Sequence, residues 1–282
     1  MNGGKSLQTD NKARNLSSVL EIATATHPGM VRSHNEDSIT ADGEMGLAVL
    51  ADGMGGYNAG EVASGIAVAM IPAEMRKALA ACPPGDLNGK RMERLIGDQA
   101  VRANATIYAA AQKESQYRGM GTTLVVALWH DNQVTVGHIG DSRLYRLRDD
   151  KLEQITRDHS LLQEQIDSGM ISKEDARHAP NKNLVTRAVG IDPDVEPEVH
   201  TYPVQRGDIY LLCSDGLPDM VPDEDIENTL ASLKANLNLA AEQLVQQAND
   251  NGGRDNVSVI LVRVLKDFPA RGGWLSKLKT MF

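Results

Sequence analysis

The sequence predicts an α+β fold in which antiparallel sheets pack on one another and helices lie outside them. Three features carry that prediction. β-Rich runs follow one another instead of alternating strictly with helices, which disfavours a doubly wound parallel sheet. After Gly121 four strand candidates, TTLVVALW, QVTVGHIG, RLYRLR and KLEQIT, are broken by the turn-prone pairs Asp131-Asn132 and Asp149-Asp150, as in an antiparallel meander. The final strand candidate, VSVILVRV, is strongly apolar, as a buried strand should be.

Taken in order, residues 1–18 read as a flexible N-terminal arm, because they are polar and lack periodicity. LEIATAT, SITAD and GLAVLAD are β-branched or aliphatic and bounded by Gly, Asp and Pro, so they read as strands. Asn58 and Glu61 give an N-cap with an acid three residues later, just before the Ala-rich segment 62–81. A helix should start there, and Pro72 should kink or break it. CPPGDLNG is a loop, and 89–116 reads as a second long helix. Residues 158–187 are more polar and suggest short helices plus loop. VEPEVHTY and DIYLLCS are strands, and 222–233 and 237–250 are helical. No internal repeat or low-complexity tract interrupts this series. At the end, Trp274, Leu275, Leu278, Met281 and Phe282 fall at helical spacing opposite Lys277 and Lys279. Residues 267–282 are therefore expected to form an amphipathic C-terminal tail, packed on the domain or tethering it to a membrane surface or partner. The span between, 19–266, is expected to be one domain.

Composition limits the function. The 282 residues carry 29 Lys+Arg against 38 Asp+Glu, a net charge of −9, with 41% hydrophobic and 24% charged residues. Those proportions fit a soluble globular protein and exclude wholesale disorder and collagen-like repeats. Nucleic acid is not the expected partner, since phosphate backbones attract clustered Lys and Arg. Cys82 and Cys213 lie far apart with no CxxC spacing, so they are expected to be reduced, buried thiols. The polar start lacks the apolar stretch of a secretory signal, and no run approaches the ~20 apolar residues that span a bilayer. A cytoplasmic protein with no transmembrane segment is expected.

Five acidic stretches hold the chemistry: Arg32-x-x-Asn35-Glu36-Asp37, Asp52-Gly53-Met54-Gly55-Gly56, Gly140-Asp141-Ser142-Arg143, Ser214-Asp215-Gly216-Leu217-Pro218-Asp219 and Arg254-Asp255-Asn256. A single Asp-Gly is ordinarily a turn. Here Asp52, Asp141 and Asp215 each end or follow a strand candidate, and Asp255 precedes one. Strand ends can bring distant carboxylates to one edge, where they would repel one another unless a cation sat between them. Hard divalent ions take such oxygen ligands. Other readings fail. DGMGG is followed by no Gly-Lys-Ser/Thr, the spaced acids of an EF-hand are missing, and none of the 7 His residues stands in an HExxH motif. There is no G-x-S-x-G nucleophile elbow.

In order along the chain, GMVRSHNEDS, LAVLADGMGGYNAGEVAS, GMGTTLVVAL, VGHIGDSRLYRL, DHS, LVTRAVG, GDIYLLCSDGL and GGRDNVSVILV make the sequence resemble the metal-dependent Ser/Thr protein phosphatases, the type 2C or PPM family, in their bacterial style. The likeness runs from about Ile22 to Val264. It implies a four-layer α-β-β-α sandwich of two antiparallel sheets flanked by helices, with a small flap at about 158–187. It also implies Mn²⁺ or Mg²⁺ as cofactor, with two core ions and a third weak site. By motif match, Asp52 should bridge the two core metals, and Gly53 should offer its carbonyl. Asp215 and Asp255 should hold one ion, and Glu36 and Asp37 the other. Asp141, with Asp215 and Asp219, should form the third position. Arg32 should grip the phosphate, since a guanidinium presents paired donors.

The implied reaction is hydrolysis of phosphoserine and phosphothreonine in proteins by a water bridging the metals, opposing a Ser/Thr kinase. A catalytically inactive phosphoprotein-binding module and a small-molecule phosphomonoesterase are the alternatives. Cys213, inside an apolar strand, reads as core. Eukaryotic relatives often carry His where Met54 stands, and Met cannot donate a proton. His34 and His159 are conceivable substitutes, and the general acid stays unassigned. In the flap, Asp158, His159 and Ser160 should fix its start, and Gly169 and Met170 near its tip are candidates for substrate contact. The protein is expected to act as a monomer.

Overall fold

Strands buried on both faces decide the architecture. In β3 (Leu47–Met54), Leu47, Val49 and Ala51 pack on one side while Ala48 and Leu50 pack on the other. The same division holds in β10 (Ile209–Cys213) and β11 (Val257–Val264). Side chains alternate across a strand, so such strands need a covering layer on each face. The computed structural model, which describes residues 15–56, 59–82, 88–172, 175 and 184–269, provides those layers as the expected α-β-β-α sandwich.

One sheet runs β1 (Leu20–His27), β11, β10, β7 (Arg143–Arg148), β8 (Lys151–Gln154). The other runs β2 (Asp37–Asp42), β3, β5 (Leu124–His130), β6 (Gln133–Ile139), β9 (Glu198–Pro203), with the short β4 (Gly121–Thr122) also on β3. Among the described residues every strand pairing is antiparallel. Helices α1 (Ala59–Ala80) and α2 (Gly89–Lys113) cover the second sheet. After α3 (Leu161–Asp167), helices α4 (Asp223–Leu233) and α5 (Leu237–Asp250) cover the first. Between the sheets lie Leu50, Val125, Leu212 and Ile260, with Trp129 and Tyr210 meeting edge to face at 5.5 Å.

The expected turns form for the expected reason. Asp131 and Asn132 have φ of 44° and 54°, and Asp149 and Asp150 have 51° and 59°. Two successive left-handed residues match the twist of a tight hairpin, and Asp and Asn tolerate that region best after Gly. Asn88 caps α2 by accepting from the Arg91 N–H at 3.1 Å, and Asn236 caps α5 from the Leu239 N–H at 3.2 Å.

Four expectations change. Pro72 lies inside α1 without breaking it. Ala63, Ala67, Ile71 and Met75 are buried on both sides of it, so packing on the sheet outweighs the lost backbone hydrogen bond. Helix α2 stops at Lys113 and a 3₁₀ turn, Ser115–Tyr117, follows. Cys213 is buried and unpaired as expected, but Cys82 is only half-buried. Leu16, assigned to the N-terminal arm, is buried between the sheets, and its N–H donates to the Glu44 carbonyl at 2.9 Å. The rest of the arm (1–14), Asn58, and the tail from 270 onward, including Trp274 to Phe282, lie outside the described residues.

The inter-sheet layer sets the rigidity of both sheets. Leu212→Ala there should cost about 2–5 kcal/mol, the range for emptying a packed leucine site. Denaturant unfolding would check it, and a loss below 1 kcal/mol would mean that the layer is loosely packed.

Candidate active site

Strand register gathers the acids at one end of the sandwich. Asp37 opens β2 directly opposite Asp52 near the end of β3. The end of β3 lies beside the start of β5, since Leu50 faces Val125, and Leu124 faces Ile139 at the end of β6. Gly140, Asp141 and Ser142 then cross to the other sheet, where β7 begins at Arg143 opposite Cys213. Cys213 ends β10 and faces Val259 near the start of β11, which places Asp215 and Asp255 at this same end.

Hydrogen bonds lock the arrangement across the two sheets. The Ser214 hydroxyl donates to Asp37 Oδ2 at 2.8 Å and accepts from the Ser258 N–H at 3.0 Å. The Asp52 carbonyl accepts from the Thr123 N–H and the Thr122 hydroxyl, both at 2.8 Å. The Thr123 hydroxyl accepts from the Asp52 N–H at 3.0 Å and meets the Ser142 hydroxyl at 2.7 Å. Buried Asn256 accepts from the Glu36 N–H at 2.8 Å and donates to the carbonyls of Pro28 and His34 at 3.0 and 2.8 Å. Two glycines are needed for close approach. A Cβ on Gly53 would lie 2.2 Å from the Gly60 carbonyl oxygen, and one on Gly216 would lie 1.9 Å from that of Asn256.

Electrostatics record the crowding. Burial, then the charges of Asp37, Asp215, Asp141 and Asp255, hold the Asp52 carboxyl well above its usual range. Asp215 is raised in the same way by burial, Asp141, Asp219, Asp255 and Asp37. Burial pushes Asp37 and Asp141 each up to about 6. Glu36 is raised by burial, partly opposed by Arg32. Arg32 sits exposed at the rim, with its guanidinium 2.7 Å from Asp255 Oδ2.

The donor set fits a hard divalent cation. It is all oxygen, and it is negative well beyond what Arg32 neutralises. Asp37 Oδ1 is buried with no hydrogen-bond donor reaching it among the described residues. A buried carboxylate oxygen left this way is costly unless a cation faces it.

The residues expected in the flap make local contacts of their own. Asp158 is buried and accepts three bonds from the Arg143 guanidinium, at 3.0, 3.0 and 2.7 Å. Ser160 caps α3, accepting from the Gln163 N–H at 3.2 Å. Gly169, with φ of 74°, closes that helix, and Met170 beyond it is 80% exposed. No described contact joins either to the carboxylates. His159 is buried, its ring is engaged by Gly140 and Glu198, and burial holds it neutral with a pKa of about 4. A ring so bonded is no proton donor to the acidic centre. Cys213 is buried with its thiol pushed up by burial, as a core residue should be.

Sequence reasoning gave no role to Ser214, Thr122, Thr123, Asn256, Ser64, His138 or Glu198. Ser214 and Asn256 adjoin Asp215 and Asp255, and that adjacency was their signal. The Ser64 hydroxyl reaches the Glu36 carbonyl at 2.6 Å from α1, a contact that no sequence spacing announces.

Comparison with known proteins agrees with this geometry. The chain matches the protein phosphatase 2C family over residues 30–256. It is 39% identical over 240 residues to the serine/threonine phosphatase stp of Listeria innocua, covering 84% of this chain and 93% of the relative. The crystal structure of the Mycobacterium tuberculosis serine/threonine phosphatase PstP/Ppp superposes with a TM-score of 0.79 at 38% identity, over 88% of this chain and 100% of that one. A structure of the PstP catalytic domain in complex with two manganese ions gives 0.76 at 38% identity, over 88% and 99%. Matched over residues 30–256 and in its sandwich, the chain belongs to the protein phosphatase 2C family.

Proposed function

We propose that this protein is a Mn²⁺- or Mg²⁺-dependent phosphatase acting on phosphoserine and phosphothreonine in proteins. The observation that carries this reading is the convergence of Asp37, Asp52, Asp141, Asp215 and Asp255 at one end of the sandwich, with Arg32 at its rim. The relatives' names and the manganese-bound PstP domain support it. Asp52 would serve both core ions, and Gly53 would offer its carbonyl. Asp215 and Asp255 would hold one, and Glu36 and Asp37 the other. Asp141, with Asp215 and Asp219, would offer a third, weaker position. Bound divalent ions supply charge neutralisation for the phosphoryl group and lower the pKa of a water.

The chain's own residues do the rest. Arg32 presents a planar fork to the phosphate, drawn outward from Asp255. Thr122 and Thr123 fix the Asp52 backbone, so its carboxylate is placed before substrate arrives. Met54 leaves proton donation to the leaving alkoxide without a side chain at that position. An inactive binding module would lack a core ligand, and Asp52, Asp215 and Asp255 are all present.

The wider reading includes a cognate Ser/Thr kinase whose phosphorylation this enzyme removes. It also includes action as a monomer, since one chain supplies every candidate ligand, and a cytoplasmic setting, in keeping with two unpaired cysteines. The expected domain, 19–266, also takes in Leu16 and Phe268, which are buried between the sheets, and the tail beyond is proposed as a tether. Among the described residues, no helix is long and apolar enough to cross a membrane.

With Mn²⁺, the protein should hydrolyse a phosphothreonine peptide faster than a small phosphate ester. Chelation should abolish turnover, and Asp52→Asn should lower it on the order of 10²–10³-fold, the scale of losing one electrostatic stabiliser. Equal rates under all these conditions would sink the assignment. A preference for small esters would favour a metabolite phosphatase.

The metal-free protein should also show a defined pH dependence. Folded Asp37 and Asp141 keep protons up to about 6, whereas an unfolded chain releases them near 3.9. Between those values the folded state binds more protons, so this contribution to stability falls as pH rises through about 6. Thermal melts after chelation should give a higher Tm at pH 5.5 than at pH 7.5. Changing both Asp37 and Asp141 to Asn should lessen that difference, with Asp52 and Asp215 supplying the remainder, and an unchanged slope would refute the electrostatic account.

A further inference from the structure

Beside the acidic centre lies a second group of titratable side chains, His138, His159 and Glu198, whose ligand atoms come within 4.8 Å of one another. By residue type they would suit a transition metal. Their orientation does not. The two imidazoles stack with centroids 4.6 Å apart and planes 21° apart, so their in-plane lone pairs run nearly parallel instead of converging on one ion. Their hydrogen bonds also fix the tautomers. The His138 Nε2 lies 2.8 Å from the Arg157 carbonyl, which can only accept, so it carries a proton. The His159 Nδ1 accepts from the Gly140 N–H at 3.2 Å, which leaves the ring proton on Nε2, facing Glu198 Oε2 at 3.4 Å.

What His159 does is visible in the other half of that contact. Its own N–H donates to the Gly140 carbonyl at 2.9 Å, so His159 takes both polar backbone groups of Gly140. Gly140 is the turn residue before Asp141. Its φ is 102°, and a Cβ there would lie 2.7 Å from Thr123 side-chain atoms. On the far side of Asp141, Arg143 is held by Asp158, the residue preceding His159. The Thr123 hydroxyl holds Ser142 between them. Two consecutive residues at the root of the 158–187 segment thus grip the turn on either side of Asp141. The His159 carbonyl also accepts from the Thr186 N–H at 2.8 Å, and Ser160 pairs with Val185, so the segment's returning end closes on the same point.

We propose that His159 is a positioning residue for Asp141: by engaging both backbone groups of Gly140 it fixes the turn that presents this carboxylate and joins it to the root of the flap. The consequence for a third metal ion rests on the phosphatase reading above. The clamp itself does not. Loss of the Nδ1 acceptor frees the Gly140 N–H and lets Asp141 wander. The oxygens of Asp52, Asp215 and Asp255, on separate strand ends, stay in place.

The experiment compares wild type with His159→Ala and His159→Asn, whose amide oxygen can stand where Nδ1 stands. In chelated protein, Gly140 amide exchange should quicken about tenfold or more in His159→Ala, as for a locally released hydrogen bond. It should return toward wild type in His159→Asn. In Mn²⁺ titrations followed by electron paramagnetic resonance, His159→Ala should weaken only the weakest site, by roughly tenfold, the usual effect of removing an outer-shell partner. His159→Asn should recover most of that loss. Should His159→Ala not fold, nitrogen NMR of the wild-type imidazole decides: Nδ1 should be unprotonated and coupled to the Gly140 N–H. A protonated Nδ1, unchanged Gly140 exchange in His159→Ala, or an Asn variant as impaired as the Ala variant would overturn the proposal. Failure of wild type to bind any Mn²⁺ would instead count against the phosphatase reading, and the exchange and tautomer results would still decide the clamp.

Discussion

Like charges brought together out of water are the constraint that the rest of this structure serves. Two unit charges 4 Å apart at an effective dielectric near 20 repel by about 4 kcal/mol. Here Asp52, itself half-buried, is affected by four other aspartates. Left alone, such a group would keep its protons or push its strands apart. The protein opposes both with hydrogen bonds aimed at the backbone of the acidic segments. Asp52 is held at its N–H and its carbonyl by Thr122 and Thr123, and Glu36 at its N–H by Asn256 and at its carbonyl by Ser64. The carboxylate oxygens themselves are given few donors, and Asp37 Oδ1 has none among the described residues. A fold that restrains the backbone while gathering mutually repelling carboxylates at one end suits a cation.

That restraint depends on the sandwich. Strand ends can hold repelling groups only if the strands cannot slide, and packed side chains on buried strand faces resist such a slip. β3, β10 and β11, which bring Asp52, Asp215 and Asp255 to the site, have that property. The Asp37–Ser214 bond and the Thr123–Ser142 bond then tie one sheet to the other at the functional end. Apolar packing in the middle and polar stitching at one edge are therefore parts of the same device.

Much of this was legible in the sequence because the signals were local. Strand runs, the Asp-Asn and Asp-Asp hairpins, and acids at strand ends each need only a few neighbouring residues, and the ordered motifs supplied the family fold. The failures share a different origin. Pro72 reads as a helix breaker by its own chemistry, but the buried face of α1 packs against a sheet whose strands lie on either side of it in sequence. Leu16 looks like part of a polar arm, yet it fills space left between β-sheets that form elsewhere. Ser64 and Asn104 act across long sequence separations, the latter by accepting from the Gly190 N–H at 2.6 Å and donating to the Asp192 and Pro193 carbonyls. Side chains that brace a site through the fold leave little trace in spacing.

His159 shows why residue type alone misleads at such a site. An imidazole a few residues from a predicted phosphatase motif invites a role in proton transfer, especially where Met54 removes the obvious donor. Burial against His138 and the bond that Nδ1 accepts from the Gly140 N–H settle its state differently, since the one proton of this neutral ring sits on Nε2 and faces Glu198. The centre itself is all oxygen, and the nitrogen ligands are kept one step behind it, where they bind peptide groups. On the proposed reading, separating the two would suit the oxygen cage to hard ions, because softer metals gain most from imidazole. The same separation lets a histidine brace an aspartate without competing for the ion proposed there.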